Sequence, residues 1–302
     1  DLKAVTLSLK YESYKLFSAD EDWSELNLYN TEPEKVTDFV VDASDIPSSL
    51  KKAVTVTLTG EWDSDAFNLL SMALGNNGGL FVTTNATLVT LDMSRIKVAE
   101  NTPLWRQGFK EYGIFNNCTA LEKVIMPTAE EAGHFTKLNK AFEGCTALRD
   151  IDLSLLTGAT DIEAAFKGTA IEKADLSGCT SLGSTVGAFE GCAALQEVIL
   201  PACFVADNYT FADCTGLKLI DYTAYTDTQD APAVKNNTFS GIDDLKAVTL
   251  KVSGLNHELF EAHKIWLDFD IEYDASGISG MKSDGKAKPL TVYTVDGRYV
   301  GT

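Results

Sequence analysis

Residues 188–201 read AFEGCAALQEVILP, and this stretch decides the fold because the same phrase returns along most of the chain. Each copy has a phenylalanine, a short spacer and an alternating apolar run that starts with leucine or isoleucine. The phenylalanines stand 27, 24, 23, 22 and 28 residues apart and are Phe115, Phe142, Phe166, Phe189, Phe211 and Phe239. Such a period indicates a solenoid, in which every repeat buries its apolar face against its neighbours.

A short strand with one buried face closes each repeat. After Leu148, for example, Ile151 and Leu153 alternate with aspartates, which is the period of a half-buried strand. We expect the alanine and phenylalanine before the strand to end a short helical or irregular segment, where the ring fills the wide side of the core. Because repetition stacks the strands in parallel, the sequence predicts an α/β leucine-rich-repeat solenoid. Its parallel β-sheet forms the concave face, and short helical or irregular segments form the convex face.

Charges of opposite sign alternate at outward positions of successive strands. One series is Lys123, Asp150, Lys173 and Glu197, and the residues before them are Glu122, Arg149, Glu172 and Gln196. Stacked strands lie about 4.8 Å apart, so each series forms a ladder in which an opposed pair contributes roughly 0.2–1 kcal/mol. We interpret these charges as structural and solvated rather than as a ligand site.

The repeats resemble those of the BspA-like leucine-rich repeat surface proteins of anaerobic bacteria. The resemblance rests on the unit A-F-x-G-C-x-x-L-x-x-[IV]-x-L-P and on a lead-in, VTLTGEWDSDAF at 56–67 and TLVTLDMS at 87–94. It covers about residues 50–275. It implies a cell-surface or secreted protein with a binding role, although no export signal is present in this chain.

Residues 1–7 read DLKAVTL, and residues 244–250 read DLKAVTL again. The similarity continues at the same offset, since Phe17 matches Phe260 and Trp23 matches Trp266. We therefore interpret 1–29 as a cap-like fragment that duplicates 244–272, 30–50 as a linker, and 51–273 as the solenoid with its C-terminal cap. Residues 274–302 then form a linker and a β-hairpin that starts a C-terminal tail. A cap without preceding repeats predicts further repeats upstream, unless the piece serves as an N-terminal cap.

The charge balance excludes several classes of partner. The chain has 25 Lys and Arg against 44 Asp and Glu, a net charge of −19. Binding to nucleic acid or to an anionic membrane surface requires a basic footprint, so we expect neither. Membrane insertion is not expected either, because no apolar run approaches the roughly 18 residues of a membrane-spanning helix.

The six cysteines follow the repeat. Cys118, Cys145, Cys192 and Cys214 share one position, and Cys179 and Cys203 share another. Thr169 and Ile242 replace cysteine at the first position, as expected for a small core residue. We predict buried free thiols, with ladder disulfides and a metal site as the alternatives.

No catalytic constellation stands out in the sequence. His257 and His263 are six residues apart, which places them about 240° apart on a helix and not on the one face that a zinc-protease motif needs. Nucleophile elbows, phosphate-binding loops and dinucleotide fingerprints are absent from the sequence. We predict that the protein is not an enzyme and has no cofactor.

Two kinds of residue are candidates for binding. Asp152, Asp175 and Asp221 fall at outward positions near the strand ends, where they form a solvated acidic face, a weak calcium site or a contact for a basic partner. Aromatic loops interrupt the period at 102–114 and 222–238. The loop residues of interest are Trp105, Arg106, Phe109, Tyr112, Tyr222 and Tyr225. Exposed aromatic rings suit sugars or protein hot spots, and the alternative is that the loops only cover the core.

These observations favour a non-catalytic recognition module at the cell surface or secreted, which binds an extracellular protein through its repeat scaffold. The alternatives are a glycan-binding accessory protein and a passive structural spacer.

Overall fold

A computed structural model describes residues 6–9, 27–30, 38–75, 86–106, 112–273, 292–293 and 299–301. Its strands are β1 (Thr6–Leu9), β2 (Asn27–Asn30), β3 (Asp38–Asp42), β4 (Thr55–Trp62), β5 (Thr90–Val98), β6 (Trp105–Arg106), β7 (Tyr112–Gly113), β8 (Lys123–Ile125), β9 (Lys173–Asp175), β10 (Glu197–Ile199), β11 (Leu219–Asp221), β12 (Thr249–Val252), β13 (Asp270–Tyr273), β14 (Val292–Tyr293) and β15 (Tyr299–Gly301). Its α-helices are α1 (Ser64–Ala73), α2 (Ala129–Ala132) and α3 (His257–Ala262).

The repeats form parallel sheets, as predicted. β3, β4, β5 and β8 make a four-stranded sheet in that order, and β9 to β13 make a five-stranded sheet in sequence order. All neighbours in both sheets run parallel. Inward residues such as Val198, Ile220 and Leu250 are fully buried, while their strand neighbours are half-exposed. The alternating apolar and polar residues therefore form a sheet that buries its apolar face in the core.

The phenylalanines form a second ladder inside the core, opposite the strands. Neighbouring rings from Phe115 to Phe239 stack with centroids 5.3–5.8 Å apart and planes within 9–14° of one another. This near-parallel stacking is a favourable arrangement for aromatic pairs. We call the edge of the repeats that carries these rings the turn side, and the edge that carries the strands the sheet side.

The turn side consists of turns that are tied together by backbone hydrogen bonds. The amide of Phe142 donates to the Ala165 carbonyl at 2.8 Å, and the amide of Gly144 donates to the Lys167 carbonyl at 2.8 Å. The residue two after each phenylalanine has a positive φ of 56–80° and is Asn117, Gly144, Gly168, Gly191, Asp213 or Gly241. Only glycine, asparagine and aspartate adopt this left-handed conformation readily. Repeats of 22–24 residues leave little room for a helix here. Of the two forms expected for these segments, helical or irregular, they therefore adopt the irregular one.

Aromatic residues close both ends of the repeat core. At the N-terminal end, α1 is capped by the Asp63 carboxylate and packs Phe67 against Trp62, with centroids 5.1 Å apart. At the C-terminal end, Trp266 and Phe269 meet Phe239 edge-on at 5.7 and 4.9 Å. The edge-on rings end the stacked series without leaving an open face.

The predicted linker at 30–50 contains a strand of the sheet. Residues 38–50, which we assigned to a linker, include β3, the first strand of the four-stranded sheet, and Val41 is buried. The polar and proline-rich flanks conceal this strand in the sequence. The pairs β1–β2 and β12–β13 have the same register, with Thr6 opposite Asn27 and Thr249 opposite Asp270, in line with the sequence duplication. β14 and β15 pair antiparallel, as a hairpin does.

Candidate functional site

The first aromatic loop is an antiparallel pair of strands. Trp105 lies opposite Gly113 and Arg106 opposite Tyr112, and Trp105, Arg106 and Tyr112 are all half-buried. The pair is held to the next repeat by the Leu104 amide, which donates to the Lys137 carbonyl at 2.8 Å. Phe109 lies outside the described residues. The structure thus keeps Trp105, Arg106 and Tyr112 together beside the first repeats.

Tyr112 borders a polar groove of about 760 Å³ on the turn side. Its lining residues are Tyr112, Asn116, Asn117, Lys140, Glu143, Gly144, Lys167 and Gly168. The groove exists partly because glycines occupy the left-handed positions of two repeats: a Cβ atom added to Gly168 would meet nothing within 4 Å. Three separate repeats supply this surface, which explains why the sequence alone revealed only Tyr112.

A hydrogen bond and an ion pair hold two of the polar side chains that line this groove. Asn116 donates from Nδ2 to Glu143 Oε2 at 3.1 Å, and Lys167 forms an ion pair with Glu190 at 2.8 Å. Lys140 has a φ of 58°, which fixes its backbone in the left-handed region. An aromatic ring beside amide, carboxylate and ammonium groups can contact a ligand that has many hydroxyls.

The second aromatic loop does not present Tyr222, and the prediction that this ring is exposed is wrong. Tyr222 is fully buried, and its hydroxyl donates to the Phe204 carbonyl. It occupies the inward position after its strand that Leu176 and Leu200 occupy in earlier repeats, so repeat alignment could have placed it in the core. Burial raises the pKa of Tyr222 well above its ordinary value.

Tyr225 belongs to the aromatic cluster at the C-terminal end. Its ring lies 5.3 Å from Tyr222 and 5.9 Å from Phe260, and its hydroxyl donates to the Asp230 carbonyl at 2.8 Å. Asn256 donates from Nδ2 to the carbonyls of Tyr225 and Asp227 at 2.9 Å each. The loop therefore covers the end of the core. This agrees with the alternative interpretation of the sequence, in which the loops only cover the core. Burial raises the pKa of Tyr225.

The three candidate aspartates all bond within their own turns. Asp175 accepts from the backbone and hydroxyl of Ser177 at 3.0 and 2.6 Å. Asp152 does the same with Ser154 and Asp221 with Thr223. Asp175 and Asp221 end strands β9 and β11, whereas Asp152 precedes a 3₁₀ turn at Leu153–Leu155. The motif D-x-[ST] thus forms a local turn in all three places, and within the described residues three or more metal-ligating side chains nowhere gather. Calcium binding stays a prediction.

The outward face of the sheet from β9 to β13 is polar apart from two aliphatic residues on β10 and β11. The predicted charge ladder is confirmed in part: Lys123–Asp150 at 2.6 Å and Lys173–Glu197 at 2.9 Å form ion pairs, whereas the sheet is interrupted between Asp150 and Lys173. The hydrogen bond to Glu197 raises the pKa of Lys173. Ile199 and Leu219 are half-exposed on adjacent strands, with Asp221 opposite Ile199 and Glu197 opposite Leu219. Sequence reasoning missed this aliphatic pair because it treated the outward positions only as charges.

Five of the six cysteines are buried free thiols, as predicted, and Cys203 is exposed. The Sγ atoms of Cys145, Cys192 and Cys214 lie 3.0–3.1 Å from phenylalanine carbonyls of the preceding repeats. Burial raises the pKa of Cys118 and of Cys179 to about 12. These thiols are therefore core groups, and Cys203 differs because it lies in the turn after Pro201.

The histidines are spread through the fold. His257 stacks on Tyr273 with ring centroids 3.9 Å apart, and His263 Nδ1 accepts from the amide of Ile265 at 3.3 Å. His134 Nδ1 lies 2.6 Å from the Val98 carbonyl. Desolvation lowers the pKa of His263. Within the described residues, the histidines therefore contact backbone atoms and an aromatic ring.

The repeats match the family described as "BspA type Leucine rich repeat region" in six copies, over residues 111–240 and 139–266. These matches cover just over half of the chain. The chain belongs to this BspA-type leucine-rich repeat family. A crystal structure of a leucine-rich repeat protein from Bacteroides ovatus is similar at 15% identity and a TM-score of 0.27. That match covers 73% of this chain and 65% of the other protein, so the chain spans less than two thirds of it.

No curated protein matches the chain. In the part of the chain that the structure describes, no helix combines the length and the apolar character that crossing a membrane requires.

Proposed function

We propose that this chain is a non-catalytic recognition module, secreted or at the cell surface, that binds an extracellular protein through the outward face of its parallel sheet. The scaffold is of a repeat family that serves protein interaction. In this proposal the repeats curve as a solenoid and the sheet lines its concave face. The extracellular location is part of this proposal, and membership of the BspA-type family supports it.

The observation that carries the proposal is the pair Ile199 and Leu219. These half-exposed aliphatic side chains lie diagonally across the β10–β11 pair, with Ile199 opposite Asp221 and Leu219 opposite Glu197. Protein interfaces often have an apolar centre within a polar rim. Glu197 is ion-paired with Lys173, and Asp221 lies opposite Lys251, so this rim carries both signs of charge and the proposed partner has an apolar centre within a mixed polar rim.

The test is binding of the labelled chain to a panel of purified extracellular proteins at two salt concentrations. A variant carrying Ile199→Asp and Leu219→Asp should lose at least about tenfold in affinity for any specific partner. Leu69→Asp is the matched control, since Leu69 is a 54% exposed leucine on α1. A partner that binds both variants equally well would contradict the sheet-face site, and a blank panel would favour a passive spacer.

A glycan is the second candidate ligand, and the groove beside Tyr112 favours it. The groove combines one aromatic ring with amide and charged groups from three repeats, a combination that suits a sugar ring and its hydroxyls. A glycan array tests this candidate. Tyr112→Ala should abolish a specific hit, whereas Tyr209→Ala should not, because Tyr209 is a 47% exposed tyrosine outside the groove.

A further inference from the structure

The parallel sheet is interrupted between residues 149–153 and 172–175. Asp150 bridges to Lys123 on one side, and Lys173 pairs with Glu197 on the other. The two segments do not pair with each other, so the described repeats carry two sheets, one ending at this bridge and one starting at β9. A groove of about 620 Å³ marks the break, with Asp152 and Asp175 on opposite walls.

Comparison of equivalent positions identifies the missing hydrogen bonds. The amide of Asp150 donates to the Glu122 carbonyl at 3.1 Å, and the amide of Leu219 donates to the Gln196 carbonyl at 3.0 Å. Lys173 holds the same position in its repeat, but its amide makes no such bond to the described residues of the preceding repeat. The break therefore leaves backbone donors and acceptors of the sheet to water.

A backbone hydrogen bond between the two segments is also missing three residues further along the chain. The amides of Leu176 and Leu200 donate to the Ile199 and Asp221 carbonyls, each at 2.9 Å. Leu153 is their equivalent, and within the described residues its amide makes no bond to Asp175. The amide of Met126, the equivalent residue one repeat earlier, makes no bond to Asp152 within the described residues either, so pairing at this position is lost on both sides of the segment 149–153.

A shortened spacer explains the break. Between Phe166 and Ile171 the spacer KGTA has four residues, whereas EGCTA between Phe142 and Leu148 has five. The Ala170 amide donates to the Leu148 carbonyl at 2.9 Å, ahead of the place where Glu172 or Lys173 would bond to Arg149. Because the shorter spacer reaches the sheet early, the following residues diverge from the preceding strand.

The turn side is intact at the same junction. The Phe142 amide donates to the Ala165 carbonyl and the Gly144 amide to the Lys167 carbonyl, both at 2.8 Å. The rings of Phe142 and Phe166 stack with centroids 5.8 Å apart. The two blocks of repeats are therefore joined by backbone hydrogen bonds and stacked rings along the turn side, and along the sheet side by contacts that flank the break, namely the Ala170–Leu148 bond and the Cys179 Sγ atom 3.6 Å from the Leu153 carbonyl.

We propose that this break is a hinge, at which residues before 153 and after 170 pivot about the intact turn side and open or close the sheet side. The motion changes the curvature of the sheet face at one fixed place. It is a property of the repeat array and goes beyond the proposed binding function, since it needs no ligand.

Amide hydrogen exchange of the whole chain tests the break. We expect Lys173 to exchange at least about tenfold faster than Asp150, Glu197 and Leu219, because those amides occupy the same position in their repeats and are bonded. Equal protection of all four amides would overturn the proposal.

Spin-label distances test the pivoting itself. One labelled pair, at positions 125 and 199, spans three strand steps across the break, and a control pair at 199 and 272 spans three steps in the unbroken sheet. Cys203, the exposed thiol, is first replaced by serine. The mean distance of the control pair should be about 15 Å, and the pair across the break should show a clearly broader distribution. Equal widths would contradict a hinge.

A repair variant tests the cause. Inserting one cysteine between Gly168 and Thr169 restores a five-residue spacer, KGCTA, and should bring the protection of Lys173 to that of Glu197. An alanine inserted between Gly191 and Cys192, where the spacer already has five residues, should lower the Tm instead. A folded repair variant whose Lys173 stays unprotected would refute the shortened spacer as the cause, and the wild-type exchange decides the proposal if the variant does not fold.

Discussion

The turn side of the repeats is structurally more regular than the sheet side. On the turn side, six phenylalanine rings stack within a range of 0.5 Å in centroid separation, and the residue two positions later always has a left-handed backbone. On the sheet side, the hydrogen-bond ladder is broken between Asp150 and Lys173. The turn side therefore sets the stacking of the repeats, whereas the sheet side tolerates variation.

This difference has a physical origin. A ring stack and a left-handed turn each depend on a specific residue type, so a change there damages the interfaces with both neighbouring repeats. An outward strand residue contributes mainly solvated side-chain contacts of modest energy. The sheet side can therefore vary in its outward residues, such as the proposed contact residues Ile199 and Leu219, with little effect on the fold.

Removing a ring from the middle of the stack should give the largest effect. Phe166 is fully buried and stacks on both Phe142 and Phe189. Phe166→Ala should lower the free energy of unfolding by about 3–5 kcal/mol through lost burial and a cavity, measured by urea denaturation. Leu219→Ala on the sheet side is the control, with an expected loss below about 1 kcal/mol. Equal losses would contradict the comparison.

Substitutions at two glycines separate the free-energy cost of a left-handed backbone from the cost of steric crowding. A Cβ atom on Gly144 would lie 2.3 Å from Asn117 Oδ1, whereas one on Gly168 would meet nothing within 4 Å. Gly168→Ala should cost about 1–2 kcal/mol for the positive φ alone. Gly144→Ala should cost roughly 1 kcal/mol more, since Asn117 must move. Thermal unfolding of both variants measures the difference, and a smaller loss for Gly144→Ala would show that the turn is not crowded there.

The repeat, the parallel strands and the charge ladder could be predicted because each depends on residue type at a fixed period. Tyr222 shows the limit of that reasoning: a tyrosine in an irregular loop looked exposed, yet its register places it in the core. The strand at Asp38–Asp42 was concealed because its flanks are polar. The groove beside Tyr112 joins residues of three repeats, and the consequence of a spacer one residue short depends on backbone geometry that composition does not encode.

The buried thiols of the turn side should make the fold sensitive to alkali. Burial raises the pKa of Cys118 from 9.0 to about 12, so its contribution to stability is complete below pH 9 and is lost as the pH rises from 9 towards 12. At pH 10 the loss is about 1.4 kcal/mol per thiol. Cys118→Ala should therefore make the unfolding free energy fall less steeply between pH 9 and 10.5 in urea denaturation. An unchanged slope would mean that the thiol does not titrate on unfolding, and Cys203→Ala is the exposed control.

The smallest effect should come from the charge ladder of the sheet side. Lys173 and Glu197 form an ion pair at 2.9 Å, with side chains 53% and 36% exposed. Exposed pairs contribute about 0.2–1 kcal/mol and are screened by salt. Lys173→Ala should therefore lower the unfolding free energy by no more than about 1 kcal/mol at low salt, and the loss should shrink at 1 M NaCl. Lys251→Ala is the control, because Lys251 has no ion pair with the described residues. A loss larger than that of Phe166→Ala would reverse the comparison, since the sheet side would then hold the repeats together more strongly than the stacked rings do.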